Sequence, residues 1–68
     1  MRISARNQIR GTVVKVKKGA TTSHVRVDIG GNIVTSSITN EAVDELGIKV
    51  KDNVTVVIKA SDVMLAVD

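Results

Sequence analysis

The sequence predicts an all-β fold of five strands, with one short helix between the third and fourth. Three observations carry this. Val and Ile dominate an apolar fraction of 43%, and β-branched side chains favour strands. Apolar and polar residues alternate with a period of two through several segments. One stretch, residues 39–47, breaks that period in favour of helical spacing. Aromatic residues are absent, so the core has to be assembled from Val, Ile, Leu, Met and Ala.

The first strand covers residues 9–16, where Thr12, Val14 and Val16 alternate with Val13 and Lys15. Gly11 inside it signals a bulge or the close approach of another backbone. Residues 17–20 form a turn, with Gly19 available for positive φ. The second strand covers 21–29, with Val25, Val27 and Ile29 opposed to His24, Arg26 and Asp28. Gly30-Gly31-Asn32 is a hairpin loop signal, and the third strand follows at 33–38. Thr39 is placed to cap a helix whose apolar positions are Ala42, Val43 and Leu46, with Gly47 ending it in a left-handed conformation. A turn at Asp52-Asn53 leads into the fourth strand, 54–60. Its near-continuous apolar character predicts burial on both faces. Ser61-Asp62 makes a tight turn into the last strand, 63–67.

That order matches a five-stranded Greek-key barrel of the OB type, and an SH3-like barrel is the alternative. The 68 residues make one domain, 1–68, with no linker and no internal repeat. A chain this short buries a modest share of its surface and leans on disulfides, metals or association. There is no cysteine and only one histidine, which excludes disulfides and thiolate sites and argues against a ligated metal cation. Association into a homo-oligomer is the remaining stabiliser. The N-terminus lacks a signal-peptide pattern and no run reaches the length of a membrane span, so a cytoplasmic protein without a membrane partner is expected.

Ten basic and seven acidic residues leave a net charge of +3, which suits an anionic partner. One histidine and no cysteine leave little for acid-base or nucleophilic work, so no catalytic residue and no enzyme is expected. Gly30-Gly31-Asn32 lies between two strands and lacks the helix start and lysine of a nucleotide loop. His24 reads as an exposed strand residue. Without aromatics to stack bases, nucleic acid is a poor fit.

Three stretches offer convergent donors to a small tetrahedral dianion such as molybdate, tungstate or sulfate. They are Ser4-Ala5-Arg6-Asn7, Thr39 at the helix start, and Lys59-Ala60-Ser61. Backbone N–H groups, hydroxyls and a few cations are the donors such a ligand needs. On the residues alone, oxyanion binding and a small barrel of undefined role stand level.

Ser4-Ala5-Arg6-Asn7-Gln8-Ile9-Arg10-Gly11 resembles the opening motif of the molbindins, small cytoplasmic molybdate-binding proteins. The same module recurs in molybdate-responsive regulators and in some transporter ATPase subunits. The match extends over 39–47 and over Lys59-Ala60-Ser61-Asp62-Val63-Met64. The resemblance implies an OB-like barrel assembled into a hexamer, a trimer of dimers, with molybdate or tungstate held between subunits. It places Ser4, Ala5 and Arg6 at the site with Lys59, Ala60 and Ser61, and Thr39 comes from a neighbouring subunit. Related modules can carry a hydroxyl where this chain has Ala42. A second family site is implied around Lys18, Gly19, Thr21, Thr22 and Ser23. The implied role is storage or buffering of the oxyanion, with no catalytic cofactor. The competing roles are an OB-fold nucleic-acid module, or a ligand-sensing domain acting through a protein partner.

Overall fold

The computed structural model describes residues 1–68. In chain order it has β1 (Asn7–Lys18), β2 (Thr22–Asp28), β3 (Ile33–Thr39), α1 (Asn40–Leu46) and β4 (Asn53–Ile58), followed by a 3-10 turn at Ala60–Asp62. The strands form one antiparallel sheet in the order β3-β2-β1-β4. The 12-residue β1 is the shared strand. Its first half pairs with β4, from Asn7↔Ile58 to Thr12↔Asn53. Its second half pairs with β2, from Thr12↔Asp28 to Lys18↔Ser23. A strand with a different partner along each half curls the sheet toward a barrel.

The change of partner is marked in the backbone. The β1–β2 register shifts between Val13 and Lys15, a bulge of the kind that bends and twists a strand. Val13 N–H donates to the Asp52 carbonyl at 2.9 Å, and its own carbonyl accepts from Lys51 N–H at 2.8 Å. The turn before β4 therefore clamps β1 at the bulge. That turn lies at Val50-Lys51, not at the expected Asp52-Asn53, and Lys51 takes a positive φ of 80°. Asp52 instead uses its carboxylate to accept from Lys49 N–H at 3.0 Å.

The helix forms as its end signals predict. The Thr39 hydroxyl accepts from Ala42 N–H at 3.0 Å, and Gly47 closes the helix at φ 64°. Its buried residue, Val43, packs on a core of Val13, Val25 and Val27. The β2–β3 hairpin turns through Gly30 and Gly31 at φ 107° and 102°. Gly19 is not in the positive-φ region. It is confined instead by proximity, its N–H donating to the Thr22 carbonyl at 2.7 Å.

Two expectations about the C-terminal half are corrected. The chain has four strands, not five: residues 63–67 form no ladder. Val63 has extended backbone angles, but no strand of the same chain pairs with it. Met64, Leu65 and Val67 are 92%, 93% and 96% exposed. The fourth strand is also not buried on both faces: Val54 and Val56 pack on the core, while the opposite face leaves Val57 38% exposed. A compact monomer of this mass exposes about 4,100 Å² by the usual size scaling. This chain exposes 5551 Å².

Gly11 sits where β1 passes over the end of β2. A Cβ there would lie 2.6 Å from Val27 Cγ1 and 2.7 Å from the Asp28 carbonyl oxygen. The backbone oxygen cannot swing aside as a side chain can. Gly11→Ala is therefore expected to cost about 1–3 kcal/mol, the range for overpacking, read as a lower urea midpoint at unchanged slope.

Candidate oxyanion-binding site

The Asn7↔Ile58 pairing brings the chain start and the end of β4 side by side. Asn7 reinforces it, donating from Nδ2 to the Ile58 carbonyl at 3.3 Å. The residues just outside that pair, 4–6 and 59–61, consequently lie side by side although they come from opposite ends of the chain. They line one open pocket of about 650 Å³, made by Ile3, Ser4, Ala5, Arg6, Val57, Lys59, Ala60, Ser61 and Asp62. Six of the seven residues expected at the main site thus come together within one chain.

The local structure leaves donors unused. The backbone N–H groups of Ala5, Arg6, Ala60 and Ser61 donate to no backbone or side-chain acceptor, because they lie outside the ladder. The Ser4 and Ser61 hydroxyls and the Lys59 ammonium have no partner either. The carbonyls on the same stretch are engaged. Arg6 Nε donates back to the Ser4 carbonyl at 3.0 Å, and Gln8 Nε2 donates to the Ala5 carbonyl at 2.9 Å. The 3-10 turn spends the Lys59 and Ala60 carbonyls on Asp62 and Val63 N–H. Among the lining residues, unpaired N–H and O–H groups thus sit beside carbonyls that are engaged at Ser4, Ala5, Lys59 and Ala60. Asp62 is the one carboxylate among the lining residues.

Thr39 does not join this pocket. It pairs with Thr22 at the opposite end of the sheet, near the Lys18 end of β1. One lone pair of its hydroxyl caps α1, and its O–H remains available to donate.

The second expected cluster is only partly assembled. Lys18, Gly19 and Thr22 meet Lys17 and His24 around a cleft of about 280 Å³. Ser23 is fully buried and donates its hydroxyl to Asn40 Oδ1, and Thr21 gives its carbonyl to Asn40 N–H at 2.9 Å. Asn40 also donates from Nδ2 to the Gly19 carbonyl at 3.0 Å. Asn40 therefore occupies the Ser23 hydroxyl and the Thr21 carbonyl, but not the Thr21 hydroxyl. The Lys18 ammonium is paired with Asp44 at 2.8 Å.

A third depression has little signature in the sequence. Arg10, Gly11, Thr12, Asp28, Asn53 and Thr55 line most of a polar groove of about 600 Å³, where β1 changes partner. Asp28 Oδ1 accepts from Gly30 N–H at 2.9 Å and from Gly31 N–H at 3.0 Å. The signal for this was Asp followed at two and three positions by Gly, an Asx turn.

A curled four-stranded sheet with a donor-lined pocket at one end defines a small OB-like barrel protein. Its family follows from likeness to known proteins. The TOBE domain model matches residues 3–65, and the chain belongs to that family, among the molbindins. Molybdenum-pterin-binding protein 1 of Clostridium pasteurianum is 52% identical over 66 residues, which is 96% of this chain and 97% of that protein. The molybdate-binding protein of Sporomusa ovata superposes with a TM-score of 0.93 at 30% identity, covering 97% of this chain and 98% of that one. ModG, described as a cytoplasmic molybdate-binding protein and solved with molybdate bound, superposes with a TM-score of 0.93 at 43% identity. That match covers all of this chain and 49% of ModG.

The two turn amides hold the Asp28 carboxyl below its ordinary value, Gly31 contributing more than Gly30. A depressed folded value gives a stability contribution that is complete above the unfolded value. It is lost as pH falls through the folded one. Thermal melts between about pH 5 and pH 2 should show the wild-type chain losing stability more steeply than Asp28→Asn. Parallel curves would mean that the turn amides do not favour the carboxylate.

Proposed function

We propose that this chain binds molybdate and tungstate at the subunit interfaces of a homo-oligomer, and stores or buffers the oxyanion in the cytoplasm. The carrying observation is the pocket at Ser4, Ala5, Arg6, Lys59, Ala60 and Ser61, where hydroxyls, backbone N–H groups and an unpaired ammonium come together while the Ser4, Ala5, Lys59 and Ala60 carbonyls are engaged. A tetrahedral dianion accepts in all directions and matches such a set. The relatives support the ligand: one is named for molybdenum-pterin binding, and two solved neighbours are described as molybdate-binding. The reading includes no chemical transformation, membrane or nucleic acid. No helix is long and apolar enough to cross a membrane.

The oligomer is proposed as a hexamer, a trimer of dimers. Three features favour association. Thr39 stands at the end of the sheet away from the pocket, so its hydroxyl reaches an oxyanion only from a second chain. The exposed area exceeds that of a compact monomer by about a third. The apolar run at 63–67 lies open, with no partner in its own chain. A second oxyanion site is proposed at Lys18, Gly19 and Thr22, where a cleft exists, with Thr21 and Ser23 acting through Asn40.

Titration calorimetry with molybdate, tungstate, sulfate and phosphate tests the ligand. Molybdate and tungstate should bind tightly, and sulfate weakly despite its equal charge. An absence of heat with molybdate, together with salt-steep binding of an oligonucleotide, would instead favour a nucleic-acid module. Ser4→Ala and Lys59→Ala each remove one donor. A hydrogen bond to a charged group contributes on the order of 1.5–3 kcal/mol, so each variant should lose roughly 10- to 150-fold in molybdate affinity at unchanged circular dichroism. Unaltered affinity in both would place the site elsewhere.

A further inference from the structure

The outer face of the sheet carries a feature that the pocket does not use. Lys15 stands directly opposite Arg26, and Lys17 directly opposite His24. On β3 the next residues across are Thr35 beside Arg26 and Ser37 beside His24. All six side chains are exposed. Side chains opposite one another on neighbouring strands stand about 5 Å apart, and those two along a strand about 6.6 Å apart. Three cations and an imidazole thus share a two-by-two tile bordered by hydroxyls.

The tile holds no carboxylate. The only ion pair in the structure is Lys18–Asp44, between the end of β1 and the helix. Asp28, next on the outer face of β2 beyond Arg26, is held by the Gly30 and Gly31 amides. Glu41, Asp44 and Glu45 lie on α1, and Val43 packs that helix against the inner face of the sheet. Like charges set directly opposite one another destabilise a sheet, so the arrangement opposes folding and needs another reason to exist. At its Lys17–His24 end the tile opens into the cleft shared with Lys18, Gly19 and Thr22, whose lining is entirely polar.

We propose that the tile and its cleft bind a condensed phosphate chain, with one terminal phosphate in the cleft and the others between Lys15, Lys17 and Arg26. Such a chain repeats its anionic groups within the reach of neighbouring side chains on the sheet. It accepts hydrogen bonds from both cations and hydroxyls. The chain could be free or could belong to a nucleoside triphosphate. No aromatic residue is present to stack a base, which favours the phosphates as the recognised part. The cleft overlaps the second oxyanion site and shares Lys17 and His24 with the tile, but Lys15 and Arg26 lie outside it, and the tile shares no residue with the Ser4–Lys59 pocket.

The test is titration of the intact protein with inorganic tripolyphosphate at low ionic strength, alongside ATP and orthophosphate. Tripolyphosphate should bind at least tenfold more tightly than orthophosphate. The double variant Lys15→Gln/Arg26→Gln should lose at least tenfold in that affinity, with molybdate binding unchanged. Lys59→Ala should show the reverse pattern. Equal affinity for ATP and tripolyphosphate identifies a free phosphate chain, and a tenfold preference for ATP identifies the nucleotide. Thermal melts give an independent readout. Without ligand the double variant should melt higher than wild type, and tripolyphosphate should raise the melting temperature of wild type only. The proposal fails if tripolyphosphate does not bind, or if binding survives the double variant. It also fails if binding disappears in Lys59→Ala, or if the double variant melts lower.

Discussion

The antiparallel register that sets Asn7 opposite Ile58 is the constraint on which the main pocket depends. Ser4–Arg6 and Lys59–Ser61 are short, polar and irregular. Neither segment has the apolar surface to fix its own position. Their relation is inherited from the last pair of the β1–β4 ladder, tightened by the Asn7 amide on the Ile58 carbonyl. A slip of one residue along that ladder would turn Val54, Val56 and Ile58 outward. It would also carry Lys59 away from Ser4. The register is therefore protected by burial, and the pocket gains its geometry from the core at no separate cost.

The same strand explains why the rest of the sheet holds together with so few fully buried residues. β1 pairs along both of its halves, and at the crossover Val13 is bound on its donor and its acceptor by the turn before β4. Val13 is also fully buried at the centre of a four-valine core. Gly11 lets the β2 end approach within a distance that no side chain would tolerate. Backbone pairing, bulge and core thus coincide between Gly11 and Lys15 of one strand. That concentration stabilises a domain whose size would otherwise leave it marginal.

Much of the fold was legible because the relevant signals are local. Val25, Val27 and Ile29 alternate with polar residues, and Thr39 and Gly47 bracket one helix by the conformations their side chains favour. The fifth strand was not legible. The unbroken apolar run at 63–67 says that these side chains seek burial, but not that its own chain lacks a strand to pair with it. The burial of β4 was overestimated for a related reason: a continuous apolar run does not reveal that one face of its strand is left open. At the site, Ser4–Arg6 and Lys59–Ser61 were named individually, yet their adjacency is a property of register and is invisible in either segment. The resemblance implies Ser23 at a second site, and only the fold shows Asn40 taking up its hydroxyl. The Arg10–Asp28–Asn53 groove joins three separate segments and left only the Asp-Gly turn as a trace.

Charge alone does not choose among dianions, because sulfate and molybdate carry the same charge. Selection has to come from the number of fixed donors and the span between them. In this chain the donors fall into two kinds. The N–H groups near Ala5, Arg6, Ala60 and Ser61 are set by backbone geometry and cannot follow a smaller ion inward. Lys59 and the two serines can. On the proposed reading, a larger tetrahedral ion would satisfy both kinds at once, whereas a smaller one would leave rigid donors unpaired, and unpaired buried donors are costly. That penalty grows as the pocket is closed off from water. A single chain leaves this pocket open, and Thr39 lies at the wrong end of the sheet to close it. Under the proposed assembly, selectivity and association are linked: a second chain covering the pocket would exclude the water that otherwise rescues a poorly fitting ion, and the ion would stabilise the assembled state by mass action.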